Sequence, residues 1–163
     1  MKTVLLLRHG KSKRGPEYET DFDRPLAGRG KRDAVAMGEF IVDQGLVPDL
    51  VLCSPAQRAR QTAVRWAEAA DYDVDEIRFE ESLYLAGDDA YLELLWKLDD
   101  ATETVLLVGH NPDLSFVIEV LSGQHTRMPT AALARIDVPI GRWSELVEGI
   151  GRLAWVQSPR ELT

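Results

Sequence analysis

Two of the three histidines in this 163-residue sequence stand directly behind short apolar runs, where buried strands would end. Arg8-His9-Gly10-Lys11-Ser12 follows residues 3–7, and Gly109-His110-Asn111-Pro112 follows residues 104–108. A third such run, 50–53, is followed by Ser54-Pro55-Ala56-Gln57-Arg58-Ala59-Arg60-Gln61-Thr62. Histidine beside arginine suits phosphoryl chemistry. A neutral imidazole nitrogen attacks phosphorus directly. Arg8 and Arg58 offer charge-assisted, bidentate bonds to phosphoryl oxygens. A protonated His110, its charge favoured by the phosphate, donates to an equatorial oxygen. Negative charge spreads over those oxygens in the transition state, so fixed cations do most of the catalysis and no metal is needed. The third histidine, His125, lies in a polar stretch and reads as solvated.

Simpler chemistries fail on spacing. Gly10-Lys11-Ser12 lacks the upstream glycine of a phosphate-binding P-loop, because Leu5 stands in its place. Cys53 and Arg58 are one residue too close for a cysteine-phosphatase loop, and Ala59 occupies the position where arginine is needed. Cys53 therefore reads as a buried strand residue. A zinc site at His9 and His110 would need further ligands and is opposed by Arg8 and Arg58. Arg60 reads as structural or solvated, and Lys11, Lys13 and Arg14 as a solvated rim. Ser54 reads as a helix cap, and Trp66, Trp96, Trp143 and Trp155 as packing residues.

The elements that must position these groups are legible in the hydrophobic pattern. Strands are expected at 3–7, Leu50–Cys53 and 104–108, with a shorter one at 77–79. Two more are expected at 132–138 and 153–156, separated by turns at Gly141, Gly149 and Gly151. Helices are expected at 30–44, with Ala34, Met37 and Ile41 inward and Gly45 at its end, and at 57–70 behind Ser54-Pro55. Tyr91, Leu94, Leu95 and Leu98, then Leu114, Val117, Ile118 and Leu121, repeat the helical core spacing. Alternating strands and helices predict an α/β fold: a single three-layer α/β/α domain over residues 1–163, with a mainly parallel sheet. In such sheets ligands bind beyond the carboxyl ends of the strands, where the histidines and arginines emerge.

Composition narrows the function classes. The chain is 45% hydrophobic and 28% charged, as expected of a soluble globular protein. Its net charge of −8 argues against nucleic-acid binding. Residues 8–32 nevertheless carry +4, leaving −12 for the remainder, and a basic island on an acidic protein suggests an anionic ligand. No apolar run approaches the roughly 20 residues of a membrane span, and the opening run is cut off by Arg8. A single cysteine excludes an internal disulfide and fits a reducing cytoplasm. A monomer without membrane or nucleic-acid partners is expected.

Leu7-Arg8-His9-Gly10 resembles the Arg-His-Gly signature of the histidine phosphatase superfamily, which includes the cofactor-dependent phosphoglycerate mutases. Asp21-Phe22-Asp23-Arg24-Pro25-Leu26 with Gly28-Arg29-Gly30 resembles the SixA-type phosphohistidine phosphatases, as do the segments 54–62, Glu81-Ser82-Leu83-Tyr84 and Gly109-His110-Asn111-Pro112. The ordered set spans Thr3 to about Ser115, and Thr130-Ala131-Ala132-Leu133 resembles a weaker family segment. The resemblance implies a phosphoglycerate mutase-like fold with His9 as the nucleophile that becomes phosphohistidine. Arg8 and Arg58 match the phosphate-binding arginines and His110 the second histidine of the pocket. Glu81 matches the position of the proton donor, with Asp21 as the competing candidate. Many relatives carry an asparagine where Gly15 stands, so Ser12 or backbone amides are left to replace that phosphate ligand.

The implied function is a metal-independent, cofactor-free phosphatase acting on phosphohistidine in a protein. The alternatives are a broad phosphomonoesterase of small molecules and a non-catalytic phosphoprotein-binding module on the same fold. A mutase is disfavoured because the chain lacks room for covering insertions.

Overall fold

The first apolar run divides its side chains between two cores. In the computed structural model, which describes residues 1–162, strand β1 (Lys2–Arg8) sends Val4 and Leu6 to one face of the sheet and Leu5 and Leu7 to the other. Successive strand residues point to opposite faces, so an unbroken apolar run requires a covering layer on each side. Strand β4 (Thr104–Gly109) does the same with Val105 and Leu107 against Leu106 and Val108.

The remaining elements supply those layers. Helices α1 (Gly28–Asp43) and α2 (Gln57–Ala69) cover one face with Met37, Ile41, Ala59, Ala63, Trp66 and Ala67. Helices α3 (Asp88–Trp96) and α4 (Asp113–Ser122) cover the other with Tyr91, Leu95, Leu114, Val117, Ile118 and Leu121. Strands β2 (Leu50–Cys53), β3 (Arg78–Phe79), β5 (Leu133–Val138) and β6 (Arg152–Gln157) complete a sheet whose order is β3-β2-β4-β1-β5-β6. The first four in that order are mutually parallel, while β5 runs antiparallel to both β1 and β6. This is the three-layer, mainly parallel α/β fold expected from the sequence.

Strand order fixes where a ligand can bind. The chain leaves β1 for α1 on one face and leaves its neighbour β4 for α4 on the other. The crevice between β1 and β4 is therefore a topological switch point, open at the carboxyl ends of both strands.

Several local expectations are corrected. Helix α2 is capped at Ala56 rather than Ser54, and Pro55 lies before the cap. Helix α3 stops at Trp96, so Leu98 packs from beyond its end. Trp66 and Trp143 are fully buried and Trp155 partly so, but Trp96 is 52% exposed on the last turn of α3. Gly45 does follow the end of α1 in the left-handed conformation, with φ of 67°.

Gly109 lets the Tyr91 hydroxyl lie against the end of β4: a Cβ there would collide with that hydroxyl. Tyr91 in turn accepts a bond from the His110 amide at 3.2 Å and donates to the Leu83 carbonyl at 3.2 Å. Gly109→Ala is expected to cost about 1–3 kcal/mol in urea unfolding, the usual range for overpacking. The cost should be smaller in a Tyr91→Phe background. Equal costs in both backgrounds would show that the clash is not with the hydroxyl.

Candidate active site

Residue pairing brings the two histidines together. The β1–β4 register sets Arg8 opposite Gly109, and the His9 amide donates to the Gly109 carbonyl at 3.0 Å. The next residue along each strand is a histidine, and the ring centroids of His9 and His110 lie 5.2 Å apart. Both rings are buried, as is Arg58. Arg58 comes from the first turn of α2, which is tied to the β1 loop by Thr62: the Gly10 amide donates to its hydroxyl at 3.0 Å, and that hydroxyl donates to the Arg58 carbonyl at 2.7 Å. Gly10 and Gly30 let the first turn of α1 close on the same loop from its other side, because a Cβ on Gly10 would overlap the backbone of Gly30.

Hydrogen bonding selects the tautomer of His9. Its Nδ1 lies 2.8 Å from the Gly10 carbonyl, which can only accept, so Nδ1 carries the proton. Burial pushes the His9 pKa down to about 3; the Gly10 bond opposes this, and His110, Arg58 and Arg8 add to it. The ring is therefore neutral, with its lone pair on Nε2, the form a nucleophile requires. Burial and Arg58 push His110 down to about 4, with Asp21 opposing. Its Nε2 is paired with the Ser54 hydroxyl at 2.8 Å, and its Nδ1 is buried without a partner. The Nε atoms of Arg8 and Arg58 are likewise buried without acceptors. A negative ligand beside these groups would raise both histidine pKa values and favour a charged His110.

The arginines are held differently. Arg8 Nη1 donates to the Met128 carbonyl at 2.9 Å, and burial together with Arg58 pulls its pKa below the ordinary value. Arg58 gives both terminal nitrogens to one residue: Nη1 to the Asp21 carbonyl at 2.8 Å and Nη2 to the Asp21 carboxylate at 2.9 Å. The same carboxylate accepts from the Tyr84 hydroxyl at 2.8 Å and from Arg24 Nε at 3.0 Å. Burial would raise the Asp21 pKa, but Tyr84, Arg58 and Arg24 outweigh it and hold it at about 2.

The structure thus brings together His9, His110, Arg8, Arg58 and Asp21. While Arg58, Tyr84 and Arg24 hold it, Asp21 is an anion with no proton to give. Glu81 lies on an exposed 3-10 turn, and its carboxylate pairs with none of the cup residues. Ser12 is near but engaged, accepting from Arg24 Nη1 at 2.9 Å. Cys53 is buried in β2, its thiol pushed up by burial, and Arg60 stacks on Phe79 at 4.1 Å. His125 is exposed near Glu119. Sequence reading missed Ser54 as the partner of His110, Thr62 as the tie to Gly10, and Tyr84, whose ring also packs against His110 with centroids 5.5 Å apart. All three lay within quoted motifs, but their partners are distant in sequence. Among the described residues, no group of three or more His, Cys, Asp or Glu side chains is placed to share a metal ion.

Comparison with known proteins gives concordant results. Residues 4–83 match the family model of the histidine phosphatase superfamily, branch 1. An uncharacterized protein of Mycobacterium leprae is 33% identical across 94% of this chain and 100% of its own length. A solved chain from Agrobacterium tumefaciens, provisionally described as the phosphohistidine phosphatase SixA, is 31% identical with a TM-score of 0.82, covering 97% of this chain and 98% of that one. The protein histidine phosphatase SixA solved with tungstate shares the fold, with a TM-score of 0.86 at 23% identity over 99% of each chain.

The depressed histidines predict a pH dependence of stability. The unfolded chain takes up protons near pH 6.5, whereas the folded chain resists until about 4 at His110 and about 3 at His9. Between those values the unfolded state binds more protons, so stability falls as pH falls. Asp21, held at about 2, contributes stability that is nearly constant above about pH 5 and begins to be lost below it. The melting temperature of the unliganded protein is expected to decline as pH falls from about 7.5 to 4, most steeply below 6.5, and these histidines should add no slope above about 7.5. His110→Asn should make the decline shallower. An unchanged slope in that variant would place His110 outside the titrating pair.

Proposed function

Because the chain belongs to the histidine phosphatase superfamily, in its SixA-type group, we propose that it is a metal-independent hydrolase of phosphohistidine on proteins. The observation that carries this reading is the meeting of a neutral His9, its lone pair on Nε2, with His110 and two arginines at one switch-point crevice. The tungstate held by the SixA neighbour is a tetrahedral oxyanion, the shape such a set of donors suits.

In the proposed reaction, His9 Nε2 attacks phosphorus and the bond from phosphorus to the leaving group breaks. Arg8, Arg58 and His110 stabilise the charge on the transferring oxygens. Water then attacks phospho-His9, the phosphorus–nitrogen bond breaks, and inorganic phosphate and neutral His9 are released. The non-catalytic alternative has no use for a buried imidazole kept neutral by its surroundings.

The nature of the leaving group follows from what the cup does not hold ready. An alkoxide leaving group needs an acid, yet in the unliganded cup Asp21 is ionised and Glu81 is exposed and apart from the cup's contacts. A histidine leaving group takes its proton from solvent near neutral pH, since imidazole titrates near 6.5. This favours a phosphoramidate over an alkyl phosphate. Phosphohistidine is expected to exceed glycerol phosphate in kcat/KM by at least ~10²-fold, the lower end of what a general acid contributes. His9→Ala should remove turnover of phosphohistidine by ~10³-fold or more. Full activity of that variant would eliminate the nucleophile, and comparable rates on the two substrates would restore an enzyme-borne acid.

Asp21 holds both terminal nitrogens of Arg58, the donors that a phosphoryl group would engage in the proposed reaction. Asp21→Ala is therefore expected to bind inorganic phosphate several-fold more tightly than the wild type by calorimetry. Weaker binding would mean that the carboxylate orients Arg58 rather than competing for it.

A further inference from the structure

Behind the wall of the cup lies a second basic feature that the reaction does not use. The segment 128–131 forms that wall: the Met128 carbonyl takes Arg8 Nη1, and the Ala131 amide donates to the His9 carbonyl at 3.0 Å. Pro129 and Thr130, in the same segment, line a cleft of about 760 Å³. The start of α1 contributes Arg29 and Asp33, the segment before the wall contributes Arg127, and the chain beyond β6 contributes Arg160 and Glu161.

The charges of this cleft do not cancel. Asp33 lies 3.8 Å from Arg29, and Glu161 accepts from the Ser158 hydroxyl at 2.8 Å. Arg127 and Arg160 have no carboxylate within ion-pair distance among the described residues. On a chain of net charge −8, three arginines around one concavity are a local exception. The cleft is far larger than one phosphate requires, and Pro129, Val156 and Pro159 give it apolar walls between the guanidiniums. Carboxylates spaced along a peptide, with their methylenes against proline and valine, fit that mixture.

We propose that this cleft binds an acidic segment of the phosphoprotein substrate, adjoining the phosphorylated side chain held in the cup. The inference rests on the protein-phosphatase reading, and binding tests it apart from catalysis. Hexaglutamate is titrated into the isotope-labelled protein at low salt, and backbone amide shifts are followed. Shifts concentrated at Arg127, Met128, Thr130, Arg160 and Glu161 are expected, with none on adding hexalysine. An Arg127→Glu/Arg160→Glu double variant with a well-dispersed amide spectrum should bind hexaglutamate at least ~10-fold more weakly, since two attractions become repulsions. Three results would overturn the proposal: no shifts in these residues, equal binding by the double variant, or equal shifts with inorganic phosphate alone. Whether the wild type hydrolyses phosphohistidine is read separately, so failure of the cleft and failure of the catalytic reading leave different records.

Discussion

The alignment of β1 with β4 is the constraint on which the site depends. Parallel pairing from Thr3 opposite Thr104 to Arg8 opposite Gly109 places the next residue of each strand, His9 and His110, side by side. A slip of one residue would exchange inward and outward side chains and send the apolar sets to the wrong layers. The cores packed by α1 and α2 on one face and α3 and α4 on the other thus hold the register. Hydrophobic burial far from the chemistry in this way sets a distance of a few ångströms within it.

Much of this was legible from sequence because it is local. Buried strands announce themselves as apolar runs, and the helical faces of α1 and α4 repeat at the helical period, so the fold and the convergence of His9, His110, Arg8 and Arg58 could be expected. The connections that fix the geometry are not local. Ser54 looked like a helix cap because serine before proline usually serves that end, yet its hydroxyl meets His110 across 56 positions. Asp21 pairs with Arg24, three residues on, a contact that sequence proximity allows, but it also reaches Arg58 and Tyr84, which proximity does not reveal. Trp96 carried no sign of its exposure, since its place on the last turn of α3 decides that and helical periodicity does not resolve helix ends.

The electrostatics of the cup arise from the same burial. Two arginines beside two histidines would be repulsive if all four were charged, and desolvation settles the matter by leaving both imidazoles neutral. In the proposed reaction neutrality serves His9, whose lone pair must be free. It suits His110 less, since donation to a phosphoryl oxygen is stronger from a charged ring. A bound dianion changes that balance, raising the pKa of the histidine it touches. Substrate binding can therefore supply the proton state that the unliganded cup disfavours.

Asp21 follows from the same reasoning. Arg58 is almost wholly buried, and a buried guanidinium without an anion is strongly disfavoured. The fold meets this with a carboxylate on a short, half-exposed 3-10 turn, joined to Arg58 by two hydrogen bonds and steadied by Tyr84 and Arg24. A permanent anion deeper in the core would make the cup stable and useless. In the proposed reaction an anion on an exposed turn yields its place to a phosphoryl group and returns when phosphate leaves. Part of the attraction between Arg58 and substrate is then offset by the contact that is lost, which tempers binding of substrate and product alike. For a phosphatase that must release its phosphate on every cycle, the tempering favours turnover.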